Sequence, residues 1–339
     1  MDIKSYRISK AGSLKNLKLI SEKINSPKDN EVCIEIKSIG LNFADVFTIL
    51  GLYKAAPKEN FIPGLEFSGI VIDKGKDVSS LNVNDRIMGS VRFGSYTTHL
   101  NIDYRYVIPL PDDWTFEEGA GFIVQALTAY YALVPLGNIV NNQTVLIHSA
   151  AGGVGIYANR IAKKFSAFTI GTIGSTSKID LLKSEGYDEI IVRDGNFKDQ
   201  LKQKLNGRNL DLILDALGGK VQKDSFDMLT TTGRMVAYGL SVYASPSASP
   251  NYLNLLYQFI TMPRYHTLTL IESNKSVLGF NLIWIYERTE LLREMLKKIE
   301  ALKLNKPYIG KIFDFENLVE AVKLFQSGKT VGKVVVKVK

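Results

Sequence analysis

The chain has 339 residues and a formal net charge of +8, with 45% hydrophobic and 22% charged residues. That length suits two ordinary domains, and that balance is the composition of a well-packed globular protein. The single Cys33 excludes an internal disulfide framework and a cysteine-rich zinc site, and it suits a reducing compartment.

The N-terminal MDIKSYRISKAG lacks the apolar core of a secretory signal, and no apolar run is read as approaching a membrane span. The expectation is a cytoplasmic protein with no membrane span. From there to about residue 120 the chain reads as short strands and turns. NEVCIEIKSIGLN alternates apolar and polar residues as a half-buried strand does, and FSGIVIDKG and DRIMGS follow the same pattern. EEGAGFIVQALTAYYALV then has helical apolar spacing. After it, strands (TVLIH, AFTIGTIG, EIIV, LDLILDAL, GRMVAYG) alternate with helices (VGIYANRIAKKF, SKIDLLKSEG, FKDQLKQKL). Alternation of that kind implies a parallel sheet covered by helices on both faces. Residues 245–263 read as a Pro/Ser linker and an aromatic-rich helix, SVLGFNLIWI as the last strand of the sheet, and TELLREMLKKIEALKL as an amphipathic helix. The terminal helix, turn and strand, ENLVEAVKLFQSGKTVGKVVVKVK, is expected to fold back onto the N-terminal part. The lysines are scattered and no recognised motif supports nucleic-acid binding.

Between the TVLI strand and the next helix stands HSAAGGVG. Ala150-x-Gly152-x-x-Gly155 fits the dinucleotide fingerprint with its first glycine replaced by alanine. Gly152 lets a pyrophosphate approach the backbone, Gly155 lets helix pack on strand, and the helix N-terminus supplies N–H donors through Ala151, Gly153 and Val154. The alternative is a tight strand-to-helix turn without a ligand. An NAD site places an acid after the second strand to hold the ribose 2′-OH. This chain has GSTSK there, with Ser175, Ser177 and Lys178 and no acid, which favours the 2′-phosphate of NADPH.

The stretches GLNFADVFTILGLY (40–53), PGLEFSGIV (63–71), DRIMG (85–89), VLIHSAAGGVG (145–155) and LDALGG (214–219) resemble the zinc-independent quinone oxidoreductases of the medium-chain dehydrogenase/reductase superfamily. LGNI (136–139), SNKSVLGFNL (273–282) and VGKVVV (331–336) are similar to its VAT-1-like branch. The resemblance implies an α/β chain with a GroES-like β-rich catalytic domain over residues 1–123 and 303–339, and a doubly wound Rossmann domain over 124–302. It implies hydride transfer from NADPH to a quinone or an enone C=C bond. It also implies that Asn42, Asp45 and Tyr53 line the cleft and that Thr128, Gly239 and the Phe280 backbone meet the cofactor. Lys333 would reach its phosphates or ribose. Tyr53 either donates to the substrate oxygen or packs on the nicotinamide. Where the family often has a tyrosine near the adenosine phosphate, this chain has Arg193, which also holds a phosphate.

Zinc-dependent cousins carry a cysteine near the position of Asn42 and a histidine where this chain has Leu65, before Glu66. Three histidines and one cysteine, widely spread, do not make a zinc site, and His148 is read as a packing residue. A homodimer through the apolar SVLGFNLIWI edge strand is expected, because such an edge invites pairing. The competing reading is a nucleotide-binding protein of weak reductase activity that binds a lipid, nucleic acid or protein partner, motivated by YLNLLYQFI and the basic balance.

Overall fold

The structure, a computed structural model, describes residues 1–244 and 247–339. Ser245 and Pro246, at the start of the expected linker, lie outside the described residues. The strand-rich N-terminal part runs β1 (Asp2–Lys10), β2 (Leu17–Lys23), β3 (Glu31–Gly40), α1 (Phe43–Ile49), β4 (Glu59–Phe61), β5 (Glu66–Lys74), β6 (Arg86–Ser90), β7 (His99–Asp103) and β8 (Val107–Pro109). Alternation along β3 buries Val32, Ile34 and Ile36 on one face.

Next come α2 (Phe116–Gly119) and α3 (Ile123–Tyr131). Ile123, Ala126, Leu127, Ala129 and Tyr130 are all buried, so α3 is apolar nearly all round, as a helix enclosed by protein must be. The segment Phe116–Leu136, 21 residues spanning α2 and α3, is long and apolar enough to cross a membrane by length and composition. The expectation that no run approaches that length is therefore corrected. Its most apolar stretch is 72% buried inside the protein.

The second part runs β9 (Thr144–Ile147), α4 (Gly153–Lys164), β10 (Phe168–Ile173), α5 (Ile179–Ser184), β11 (Glu189–Val192), α6 (Phe197–Leu205), β12 (Leu210–Asp215), α7 (Gly219–Asp227) and β13 (Leu229–Ala237). It continues through α8 (Tyr252–Thr261), α9 (Thr267–Ser273), β14 (Ser276–Gly279), α10 (Leu282–Ile285) and α11 (Thr289–Ala301). Its six parallel strands lie in the order β11-β10-β9-β12-β13-β14, the doubly wound Rossmann arrangement. The order reverses between β9 and β12, and a crevice opens there beyond the carboxyl ends of the strands.

Only the first four residues of SVLGFNLIWI form the edge strand β14. Asn281 then accepts from the Ile283 N–H and starts α10, which buries Leu282, Ile283 and Ile285. A cap plus tertiary burial outweighs the β-propensity of an apolar run too short to show its period. The tail contains β15 (Ile309–Asp314), α12 (Leu318–Gln326) and β16 (Lys333–Lys337). β16 pairs antiparallel with β3, Val336 opposite Ile39, so the tail closes the N-terminal sheet in the order β15-β16-β3-β5-β6-β8.

Two glycines of the turn after β9 differ in their surroundings. A Cβ on Gly155 would lie 2.6 Å from the backbone of Ala150, whereas one on Gly152 would meet only the Ser149 carbonyl oxygen, at 3.3 Å. Gly155→Val is expected to cost about 1–3 kcal/mol by overpacking. Gly152→Val should keep the wild-type melting temperature, and thermal melts of both variants check the pair.

Candidate active site

A cleft of about 1580 Å³ separates the two sheets, and the glycine turn sits on its wall. Ser149 takes φ +53° and leads the chain from β9 into the turn. Gly152 precedes α4 in extended conformation, so the first N–H groups of the helix face outward with no side chain before them. Ala151, Gly152, Gly153, Val154 and Gly155 all border the cleft. The opposite sheet reaches the turn directly: the Gly332 N–H donates to the Ala151 carbonyl at 2.7 Å, and Gly152 and Gly332 form a parallel bridge.

Beyond β10 the cleft is polar and cationic. Ser175 and Ser177 hydroxyls lie 2.9 Å apart. The Lys178 ammonium donates to the carbonyls of Gly328 and Thr330 at 2.7 and 2.9 Å. Arg193 donates to the Thr172 hydroxyl at 2.8 Å. Neither cation makes an ion pair among the described residues. Burial, with the Arg193 charge second, holds the Lys178 ammonium below the usual lysine range. His148 is fully buried, bonded to the hydroxyls of Thr172 and Ser225 at 2.9 Å each. Burial pushes its imidazole down to about 3, so it is a neutral packing residue.

At the other end Thr128, Gly239 and Phe280 line the cleft. The Phe280 N–H donates to Ala237 at 3.1 Å, and its ring meets Tyr131 edge-on. Tyr53 also lines the cleft, but its hydroxyl already donates to the Asn281 side-chain oxygen at 2.6 Å. Burial raises that phenol to about 12.

Two expectations change at this end. Asp45 does not border the cleft. It is the third residue of α1 and turns back, so that its carboxylate accepts from the Asn42 N–H at 2.8 Å and from the Tyr96 hydroxyl at 3.1 Å. It fixes Asn42 from behind. Burial raises its carboxyl to about 7. Lys333 borders the cleft but does not reach toward the cationic end. Its ammonium lies 2.6 Å from Glu66 and 2.9 Å from the Asn42 side-chain oxygen. A carboxylate within contact distance competes with any phosphate for that charge.

Gln125 and Asn281 were not anticipated as site residues, and Glu66 only marked a departure from the zinc motif. Gln125 donates to the same Asn42 oxygen at 2.7 Å, and the Val124 N–H donates to the second Glu66 oxygen at 2.9 Å. A charged residue opening the apolar strand EFSGIVI was the one available signal for Glu66. Among the described residues no group of three or more His, Cys, Asp or Glu side chains is placed to hold a metal ion.

Residues 28–112 match the alcohol dehydrogenase GroES-like domain, and residues 186–336 match the family described as zinc-binding dehydrogenase. The chain is 31% identical over 314 residues to the Homo sapiens synaptic vesicle membrane protein VAT-1 homolog, covering 91% of this chain and 79% of that one. It spans 64% of the length of the Danio rerio homolog, at 30% identity. The solved CurK enoyl reductase superposes with a TM-score of 0.84 at 27% identity over 99% of both chains. Escherichia coli quinone oxidoreductase complexed with NADPH superposes with a TM-score of 0.83 over 98% of this chain and 99% of that one. At 24% identity that last likeness is one of fold.

Asp45 titrates from about 7 when folded, against an ordinary 3.8. Its contribution to stability is complete below about pH 4 and is lost as pH rises through 7. Asp45→Asn keeps an acceptor for both donors and removes the titration. Denaturant unfolding at pH 4.5 and 7.5 should therefore show wild type losing on the order of 3 kcal/mol more than the variant across that window.

Proposed function

The chain belongs to the medium-chain dehydrogenase/reductase superfamily, on the branch of the VAT-1 homologs, and we propose that it is an NADPH-dependent reductase acting without zinc on a quinone or the C=C bond of an α,β-unsaturated carbonyl. The observation that carries this reading is one cleft that combines an open glycine turn with two cations that make no ion pair among the described residues. Residues 1–123 with 303–339 would form the catalytic domain and 124–302 the cofactor domain.

The residues present fit the cofactor. Gly152 and the start of α4 leave an N–H-lined space that a Cβ would intrude upon, suited to a pyrophosphate. Ser175, Lys178 and Arg193 suit a 2′-phosphate, and no acid among them repels it. Thr128, Gly239 and Phe280 would flank the nicotinamide. When bound, NADPH supplies the hydride. The protein's work is then to orient the acceptor and exclude water. Leu65, Val124 and Ile283 make that part of the wall apolar. Asn281 holds the Tyr53 hydroxyl in place, and a substrate oxygen that displaces Asn281 gains the Tyr53 proton as a hydrogen bond. Leu65 stands where zinc-dependent relatives carry a histidine, which supports the metal-free assignment. CurK, the more similar of the two, is an enoyl reductase, which supports an enone acceptor.

A homodimer is part of the proposal. Among the described residues β14 ends the parallel sheet with one edge unpaired, and the helices before it expose Leu253 (81%), Leu268 (65%) and Ile271 (69%). That same apolar surface favours a second reading, a cofactor-binding protein whose main task is holding a lipid or protein partner. NADPH oxidation with a panel of quinones and enones separates the two: tight cofactor binding with no turnover favours the second. Light scattering giving a monomer mass at micromolar concentration would remove the dimer.

The cofactor choice is tested by Lys178→Ala. Loss of one charge-assisted phosphate contact should weaken NADPH by roughly 1.5–3 kcal/mol and leave NADH nearly unchanged. Gly152→Val should abolish the melting-temperature rise that NADPH produces. Fluorescence titration and melts with both dinucleotides measure these effects.

A further inference from the structure

Lys333 is an ammonium group taken almost completely out of water: its side chain is 3% exposed and that of its partner Glu66 is 0% exposed. An ammonium has three N–H donors. One goes to Glu66 and one to Asn42, and the third has no partner among the described residues. Buried donors are rarely left unspent. The side chain borders the cleft, so the cleft is where that donor can find an acceptor.

The stem is held as tightly as the head. A Cβ on Gly40 would lie 2.7 Å from Lys333 Cε, and one on Gly121 would lie 3.3 Å from its Cγ. A Cβ at the same two positions would also crowd the Ala120 carbonyl oxygen and, at 3.1 Å, Ile309, so the stem passes through a closely packed channel. The groups around the head are fixed too. Glu66 is tied through its other oxygen to the Val124 N–H, and Gln125 holds the Asn42 oxygen from a position beside Gly153. The ammonium therefore stands at a set place, next to the glycine turn and on the Asn42 side of the cleft.

We propose that Lys333 is a catalytic residue whose third N–H binds the oxygen of the acceptor and takes up the negative charge that develops there. This rests on the reductase reading above and assigns its oxyanion partner. A hydride supplied by NADPH, which would leave as NADP⁺, forms the new C–H bond at the β-carbon; the C=C π pair moves into the bond between the α-carbon and the carbonyl carbon, and the C=O π pair moves onto oxygen as negative charge. With its stem packed and two of its donors engaged, the Lys333 ammonium stays in place as that charge forms, so stabilising it needs little reorganisation. The enolate is then neutralised by a proton drawn from water at the cleft mouth. The Glu66 carboxylate makes the pair neutral overall, which suits charge that appears during the reaction better than a standing phosphate dianion. Lys178 and Arg193, which make no ion pair among the described residues, suit the dianion.

The test uses Lys333→Met combined with Glu66→Gln, because removing one partner of a buried pair strands the other charge, whereas replacing both often leaves the fold intact. The probe is 4-nitrophenol, whose phenolate mimics an enolate and is read by its absorbance, with the full-length protein alone and with NADP⁺. Wild type should favour the bound phenolate over the phenol by about tenfold relative to free solution, and the paired variant should lose that preference. With quinone or enone, kcat should fall at least about tenfold while the KM for NADPH holds. A folded paired variant that still favours the phenolate overturns the role given to Lys333. If wild type reduces no quinone or enone, the reductase reading fails, and the phenolate measurement still decides whether Lys333 binds an oxyanion.

Discussion

A single buried ion pair, Lys333 with Glu66, joins the parts of this molecule that have to be held in register. Glu66 opens β5, Lys333 opens β16, Asn42 precedes α1, and Gln125 sits on α3, the helix that leads into the parallel sheet. Four segments far apart in the chain thus meet around one ammonium. In a dry site such a pair is costly to break on one side only, about 3–5 kcal/mol, because the remaining charge has no water to turn to. The next residue back, Gly332, gives its N–H to Ala151 and carries the same constraint to the glycine turn. The position of the turn relative to the N-terminal sheet is therefore set by adjacent residues of one strand.

That constraint divides the cleft by charge. At one end stand two cations that make no ion pair among the described residues, Lys178 and Arg193, beside two serine hydroxyls. At the other, the lysine is neutralised, the phenol of Tyr53 is engaged by Asn281, and the wall includes Leu65, Val124 and Ile283. A ligand with a strongly anionic end and a flat, weakly polar end would find complementary surroundings at both ends in a single orientation. Lys178 also binds carbonyls of the Gly328–Thr330 turn, so the cationic end is itself a junction between the two sheets.

Much of this was legible from local pattern. The alternation of strands and helices after residue 140 announced a parallel sheet, and the small residues between β9 and α4 announced a close approach to the backbone. Both signals are short-range: a period of two or of about four, and the absence of a Cβ. Asp45 was expected to line the cleft and Lys333 to reach the cofactor's phosphates or ribose, yet one turned backward to cap α1 and the other found a carboxylate 267 residues away. The apolar run SVLGFNLIWI was too short to separate strand from helix, and the cap at Asn281 decided it. The enclosed segment Phe116–Leu136 shows the converse limit: a segment surrounded by protein and one surrounded by lipid have the same composition.

By itself the sequence determined the alternating strands and helices of the parallel sheet, the missing acid after β10, and the glycines that let a phosphate near the α4 N-terminus, because each is a property of neighbours along the chain. Only the tertiary structure decided which charges are paired. Among the described residues Lys178 and Arg193 make no ion pair while Lys333 is paired with Glu66, although all three read alike as cations in the sequence. The physical reason is that an ammonium in a dry interior takes its chemistry from what lies within about 3 Å of it, and in a fold with crossing connections that neighbour comes from the far end of the chain.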